Sequence, residues 1–309
     1  MYIRRYRHNK WLHSMKIIFI HGMNQQHYSA ETLRQHWLQI FQQGLRCSGH
    51  PDFNLGAAQI EQPFYGDLLT LHHQENVLDL NTFLPKAWLN FPLHLQQTEQ
   101  KAIEHSDFIP FLPHDSVSQN LPISARLNLY TALAKDIMLK ELSILLNHFP
   151  QLHEKLIHQF LIEAYLYLSN ECFLREVHAR ILACLSAHQK HIIVAHSLGT
   201  VIAYNLLQMH PEFKVSRFIT LGSPLAFRII QDKILHPIIR PKGIHGDWMN
   251  FYSNDDFLTA FPLSNAPFCF KPAIINQMIS TFANKPHEIT GYLQHPDVVK
   301  SIVEPLQKR

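Results

Sequence analysis

Ser197 stands where two sequence patterns meet. The run Ile192-Ile193-Val194-Ala195 ahead of it is short, apolar and rich in β-branched residues, the pattern of a strand buried on both faces. The segment Leu198-Gly199-Thr200-Val201-Ile202-Ala203-Tyr204 behind it reads as a helix, over 198–209. A serine on so sharp a strand-to-helix turn is held in a strained backbone conformation, so the residues two before and two after it must be small. They are Ala195 and Gly199. The turn lifts the hydroxyl above the end of the sheet and sets it at a helix N-terminus, whose N–H groups favour negative charge. That arrangement suits nucleophilic attack with stabilisation of an oxyanion. His196, next to the serine, and His21-Gly22, which close the apolar run Lys16-Ile17-Ile18-Phe19-Ile20, fall at strand ends too and are candidates for substrate contact. Taken alone, Gly22 need do no more than let its strand turn.

The chain holds 23 histidines, which invites a metal centre. Their spacing argues against one. No pair has the His-Glu-x-x-His arrangement, adjacent His72 and His73 would point to opposite faces of a strand, and His153 and His158 would be out of register on a helix. Cysteines 47, 172, 184 and 269 form neither the close pairs of a zinc site nor a disulfide framework. No metal and no cofactor is expected, and a reduced, cytoplasmic chain is.

The elements that must position Ser197 follow from the same patterning. Strands are predicted at 16–20, 57–61, 191–195, 217–221 and 248–252, with helices at 31–45, 198–209 and 296–308. Strand, helix, strand is the α/β signature, and parallel sheets of this kind bind ligands at the carboxyl ends of their strands. From 68 to 125 periodicity fades and prolines gather, and helical patterning resumes at 125–149, 152–168 and 171–188. The organisation expected is an N-terminal extension over 1–14, an α/β core made of 15–67 and 186–309, and a largely helical insertion over 68–185 whose last helix belongs to either part.

His196-Ser197-Leu198-Gly199, between its strand and its helix, resembles the nucleophile elbow of the α/β-hydrolase superfamily, in the lipase and esterase branch. Ala195 takes the place of the first glycine of that motif. Pro63-Phe64-Tyr65-Gly66-Asp67, with His21-Gly22 and the glutamines 25 and 26, is similar to a bacterial subgroup of unassigned substrate. The resemblance implies the α/β-hydrolase fold, a mostly parallel central sheet flanked by helices with a helical lid insertion. It also implies that the backbone N–H groups of Met23 and Leu198 form the oxyanion hole.

In this superfamily the order along the chain is serine, acid, histidine. The resemblance places the acid in Ser253-Asn254-Asp255-Asp256-Phe257-Leu258, where Asp256 fits the Asp-x-aliphatic pattern better and Asp255 is second choice. The base belongs in the loop before the last helix. There His287, in Lys285-Pro286-His287-Glu288-Ile289-Thr290-Gly291-Tyr292, is favoured over His295, which abuts Pro296 at a helix start and suits a cap or surface role.

Between His21 and Ser197 the chain is far longer than the core needs, which is where a lid fits. Phe83-Leu84-Pro85 and Trp88-Leu89-Asn90-Phe91-Pro92-Leu93 lie within it, as lining of an acyl pocket, as a transient membrane contact, or as packing on the helical core. Lys and Arg exceed Asp and Glu only by 27 to 24, with the excess largely in the first ten residues, so no basic stripe points to nucleic acid. The apolar run at 17–20 is too short for a signal peptide or a membrane span. Expected, then, is hydrolysis of a carboxylic ester or lipid, with no defined protein partner. A phospholipid-directed bacterial effector and a non-catalytic binding protein on the same fold are the alternatives.

Overall fold

The computed structural model describes residues 15–71 without 23, 56, 57, 69 and 70, some helical positions between 160 and 168, and 170–307 without 257, 258, 260 and 283. The chain divides into two units, Met1–His72 with Phe149–Arg309, and His73–His148, and every described residue belongs to the first. The extension over 1–14 and most of the expected insertion, including 83–93, therefore lie outside the described residues.

A six-stranded, wholly parallel sheet runs in the order β2-β1-β3-β4-β5-β6. Its strands are β1 (Met15–Ile20), β2 (Gln59–Glu61), β3 (Lys190–His196), β4 (Lys214–Leu221), β5 (Ile244–Tyr252) and β6 (Ile275–Met278). Helices described are α1 (Ala30–Cys47), α2 (Glu171–Leu182), α3 (Leu198–Met209), α4 (Arg228–Gln231), α5 (Ile289–Leu293) and α6 (Pro296–Gln307). Ser29 caps α1, its hydroxyl accepting from the Thr32 N–H, and Asn170 caps α2 in the same way through Phe173.

Position in the sheet explains composition. Central β1 and β3 are covered on both faces and read as unbroken apolar runs, whereas β2 and β6 at the two edges are short and mixed. On one face, Ile17, Phe19, Ile192, Val194, Ile219, Leu221 and Phe251 form a single core with α1 (Leu33, Trp37, Phe41) and α6 (Val298, Val299, Ile302, Val303). α3 packs on β1 and β3. A buried guanidinium locks β4 to its neighbours: Arg217 donates to Asp247 on β5 (2.8 Å) and to Glu304 and the Ser301 carbonyl on α6 (3.1 Å each).

The strand order also singles out one crevice of the sheet. From β1 the chain steps outward to β2, then returns to the other side of β1 to lay down β3 and continues away. The reversal falls between β1 and β3, and the crevice at the carboxyl ends of such a pair is where open parallel sheets bind. His21-Gly22 and Ser197 follow those two ends. No helix among the described residues is long and apolar enough to cross a membrane.

Candidate active site

Ser197 links β3 to α3 with φ 54° and ψ −131°, one of two non-glycine residues with positive φ among those described. Such a conformation persists only where its surroundings over-determine it. The Ser197 N–H donates to the Leu221 carbonyl at the end of β4 (3.0 Å), while the Thr200 N–H and hydroxyl both donate to the Ser197 carbonyl (2.9 and 2.7 Å). Two glycines give the turn its room. A Cβ on Gly22 would stand 2.5 Å from the Ser197 Cβ, and one on Gly199 would run into the His21 and Ile20 carbonyl oxygens. The requirement for small residues thus extends from the turn itself to the facing strand end. The serine does not stand open above the sheet as the turn alone suggests: it is 1% exposed, with Gly22 against its Cβ and an imidazole on its hydroxyl.

That imidazole is His287. Its Nε2 lies 2.8 Å from Ser197 Oγ, and its Nδ1 lies 2.8 and 3.0 Å from the two carboxylate oxygens of Asp256. A carboxylate only accepts, so Nδ1 carries the proton and Nε2 is left to accept from the serine hydroxyl. Asp256 is fully buried. It sits in a turn in which its own N–H donates to the Ser253 carbonyl and its carbonyl accepts from Thr259. The neighbouring Asp255 is exposed. His295 faces elsewhere: its Nδ1 accepts from the Asp297 N–H (3.3 Å) and its carbonyl from the Val299 N–H, the work of a helix cap at the start of α6. Of the two pairs of candidates, the structure brings Asp256 and His287 to the serine and leaves Asp255 and His295 outside.

Comparison with protein-family models, curated proteins and solved structures finds no match. The chemistry of the site stands on its own geometry. A hydroxyl hydrogen-bonded to an imidazole that is oriented by a buried carboxylate can pass its proton to Nε2 as the oxygen attacks an electrophile. Leu198 opens α3, so its N–H is one of those that helix geometry leaves without an intrahelical acceptor. Met23 lies outside the described residues. No group of three or more metal-ligating side chains occurs among those described.

The other two histidines singled out in the sequence are engaged with the frame. His21 is buried, its Nδ1–H donating to the Gly22 carbonyl (2.9 Å) and its Nε2 accepting from the Tyr65 N–H (3.2 Å). The Tyr65 ring stacks on it at 3.8 Å and the Tyr65 hydroxyl donates to its carbonyl. Both ring nitrogens are therefore satisfied by backbone. His196 is also buried, and its Nε2 donates to the His287 carbonyl (3.0 Å), which holds that residue's backbone from behind.

Two contributors escaped the sequence reading. Glu163, buried in a helical stretch ahead of α2, takes the Asn24 N–H between its two carboxylate oxygens (3.1 and 3.0 Å), just past Gly22. Nothing in the helical spacing around residue 163 marks it. Tyr292, quoted only as part of the His287 segment, donates to Asp256 Oδ2 at 2.5 Å.

Burial also sets a pH limit on the fold. His21, His178 and His191 are pushed down to about 4 by burial. The unfolded chain protonates them near the ordinary value of 6.5, whereas the folded chain resists until about 4. Between those values the unfolded state binds more protons. Stability contributed by neutral burial is therefore complete above about pH 6.5 and is lost as pH falls toward 4. For His21 alone the loss reaches about 3 kcal/mol at the bottom of the window. Urea midpoints are expected to drop clearly between about pH 7 and about pH 5, and equal midpoints would contradict the burial of these histidines as neutral groups.

Proposed function

We propose that this chain is a serine hydrolase of the α/β-hydrolase fold that cleaves carboxylic esters through an acyl-enzyme. The observation that carries the reading is the hydrogen-bonded chain from Ser197 Oγ through His287 to buried Asp256, built on a positive-φ serine between strand and helix. Its position at the reversal of strand order is a second support.

The steps follow from the atoms in place. Ser197 Oγ attacks the ester carbonyl carbon as its proton passes to His287 Nε2. The Nδ1–H bond to Asp256 stabilises the imidazolium that results. Negative charge on the former carbonyl oxygen is met by the Leu198 N–H and, as the resemblance implies, that of Met23. Collapse of the tetrahedral intermediate breaks the bond to the alcohol oxygen, which leaves with the proton from Nε2. Water then gives a proton to Nε2 and attacks the acyl carbon, and collapse returns that proton to Ser197 Oγ and frees the acid.

A fluorophosphonate probe and a series of p-nitrophenyl esters of increasing acyl length test this directly. Covalent labelling at Ser197 and turnover of at least one ester are expected. A folded protein that neither labels nor turns over any member of the series overturns the proposal and favours a binding protein on this fold.

A further inference from the structure

Two side-chain donors among the described residues meet on the Asp256 carboxylate. Besides the Nδ1–H of His287, it accepts a hydrogen bond from the Tyr292 hydroxyl at 2.5 Å on Oδ2. Tyr292 lies on α5, the helical turn that follows His287, and its ring is fully buried. The place for this phenol is built from another strand. Gly222, at the end of β4 with φ +54°, would with a side chain put its Cβ 3.1 Å from Asp256 Oδ2 and 3.3 Å from the Tyr292 ring. A side chain there would be strained by the positive φ and would crowd carboxylate and phenol together, so glycine suits the position. Thr259, from the turn that carries Asp256, brings its hydroxyl to 3.2 Å from the phenol oxygen and completes the enclosure.

We propose that Tyr292 is a positioning residue of the ester-cleaving site, its hydroxyl sharing the Asp256 carboxylate with His287 and thereby setting both the orientation of the acid and the proton affinity of the base. The inference rests on the hydrolase reading above and deepens it. A segment that supplies the base at one end and a clamp for the acid at the other docks on Asp256 through two bonds, which fixes the imidazole against rotation. Burial, with the negative charge of Asp256 beside it, drives the phenol well above its ordinary ionisation, so it remains a donor throughout any assay range.

The sign of its effect follows from charge. A donor on Oδ2 draws negative charge away from the oxygen that faces His287, so the acid–base pair holds a further proton less tightly. Removing the donor makes the pair protonate at a higher pH. The other titratable groups around the pair are few among the described residues. His196 and His21 are held well down by burial, and Lys285 and Glu288, beside His287, pair with each other at 2.7 Å on the surface.

Tyr292→Phe keeps the ring against Gly222 and removes only the hydroxyl. With p-nitrophenyl acetate as substrate, the acid limb of kcat/KM is expected to move up by roughly one pH unit. On the plateau kcat should fall about tenfold with KM nearly unchanged, because the lost bond held the carboxylate, and through it the imidazole, in the orientation that the transition state needs. A residue that only fills space would move neither. An unshifted limb with kcat within about twofold of wild type overturns the assignment. Should Tyr292→Phe fail to fold, 3-fluorotyrosine at the same position, a stronger donor of the same shape, must move the limb to lower pH; no movement overturns the assignment equally. Fluorophosphonate labelling of wild-type Ser197 separates the two levels. Absence of labelling defeats the hydrolase reading and this inference with it, whereas labelling with a flat Tyr292→Phe comparison defeats the inference alone.

Discussion

Ser197→Ala is expected to lower ester hydrolysis by roughly 10⁵- to 10⁶-fold, the scale of loss when a serine nucleophile is removed from a site of this type. What survives is the contribution of bound geometry and oxyanion donors, which act on water without a covalent intermediate. The fold should persist. The constraints on the turn run through the backbone of residue 197: its N–H on Leu221, its carbonyl under Thr200, and Gly22 against its Cβ, which alanine keeps. Alanine at φ 54° is about as strained as serine, so the strain is not relieved and not increased. Loss of fluorophosphonate labelling with an unchanged melting curve is the full expected result. Hydrolysis within tenfold of wild type would remove Ser197 from the role of nucleophile.

How far such a site can be read from sequence depends on what each residue owes to its neighbours in the chain. Ser197 is legible because the strain of its turn is a local property: β3 before it and α3 after it leave a marked change of period at one residue. β1 and β3 are legible for a related reason, since strands covered on both faces carry unbroken apolar runs. β6 (Ile275–Met278) has no such run, because an edge strand is half open and its Asn276 serves loops rather than core, accepting from the Leu263 N–H and donating to the Leu263 carbonyl. α5, at five residues, is shorter than two helical turns and shows no period. Strand ends blur where polar residues do tertiary work, as at the start of β5, where Asp247 holds Arg217. The choice between Asp255 and Asp256 turns on which carboxylate is buried, a matter of side-chain direction that alternation alone does not fix in a turn. Glu163 and Tyr292 act across large sequence separations, on Asn24 and Asp256, and nothing in their own stretches of sequence marks them.

Asp256→Asn is expected to lower kcat by about 10⁴-fold, while Asp255→Asn leaves it within about twofold. The difference lies in the number of donors the buried side chain must accept. Asp256 takes an N–H from His287 and an O–H from Tyr292 on its two oxygens. An amide has one oxygen and one NH₂, so in either rotamer one of these donors would face another donor. With the NH₂ at the Oδ1 position, the oxygen at Oδ2 still faces both donors, but the NH₂ stands 3.0 Å from Nδ1 and favours a His287 that carries its proton on Nε2 and accepts at Nδ1. It then points a proton at Ser197 Oγ and cannot remove one. With the NH₂ at the Oδ2 position, the phenol loses its acceptor inside a closed site and Nδ1 keeps only the more distant oxygen, and the imidazolium formed in the reaction still meets a neutral group where a negative charge had been. Either way the fold loses a satisfied buried pair and the base loses its counter-charge. Asp255 carries no comparable burden, since its side chain is exposed and its N–H, which the substitution keeps, is what bonds Ser253 Oγ (3.3 Å). Steady-state turnover of both variants on the best ester of the acyl series, with melting curves for each, checks the contrast. A large loss in Asp255→Asn with near-normal turnover in Asp256→Asn would transfer the acid to Asp255 and would require the loop over 253–259 to be rearranged in the working protein.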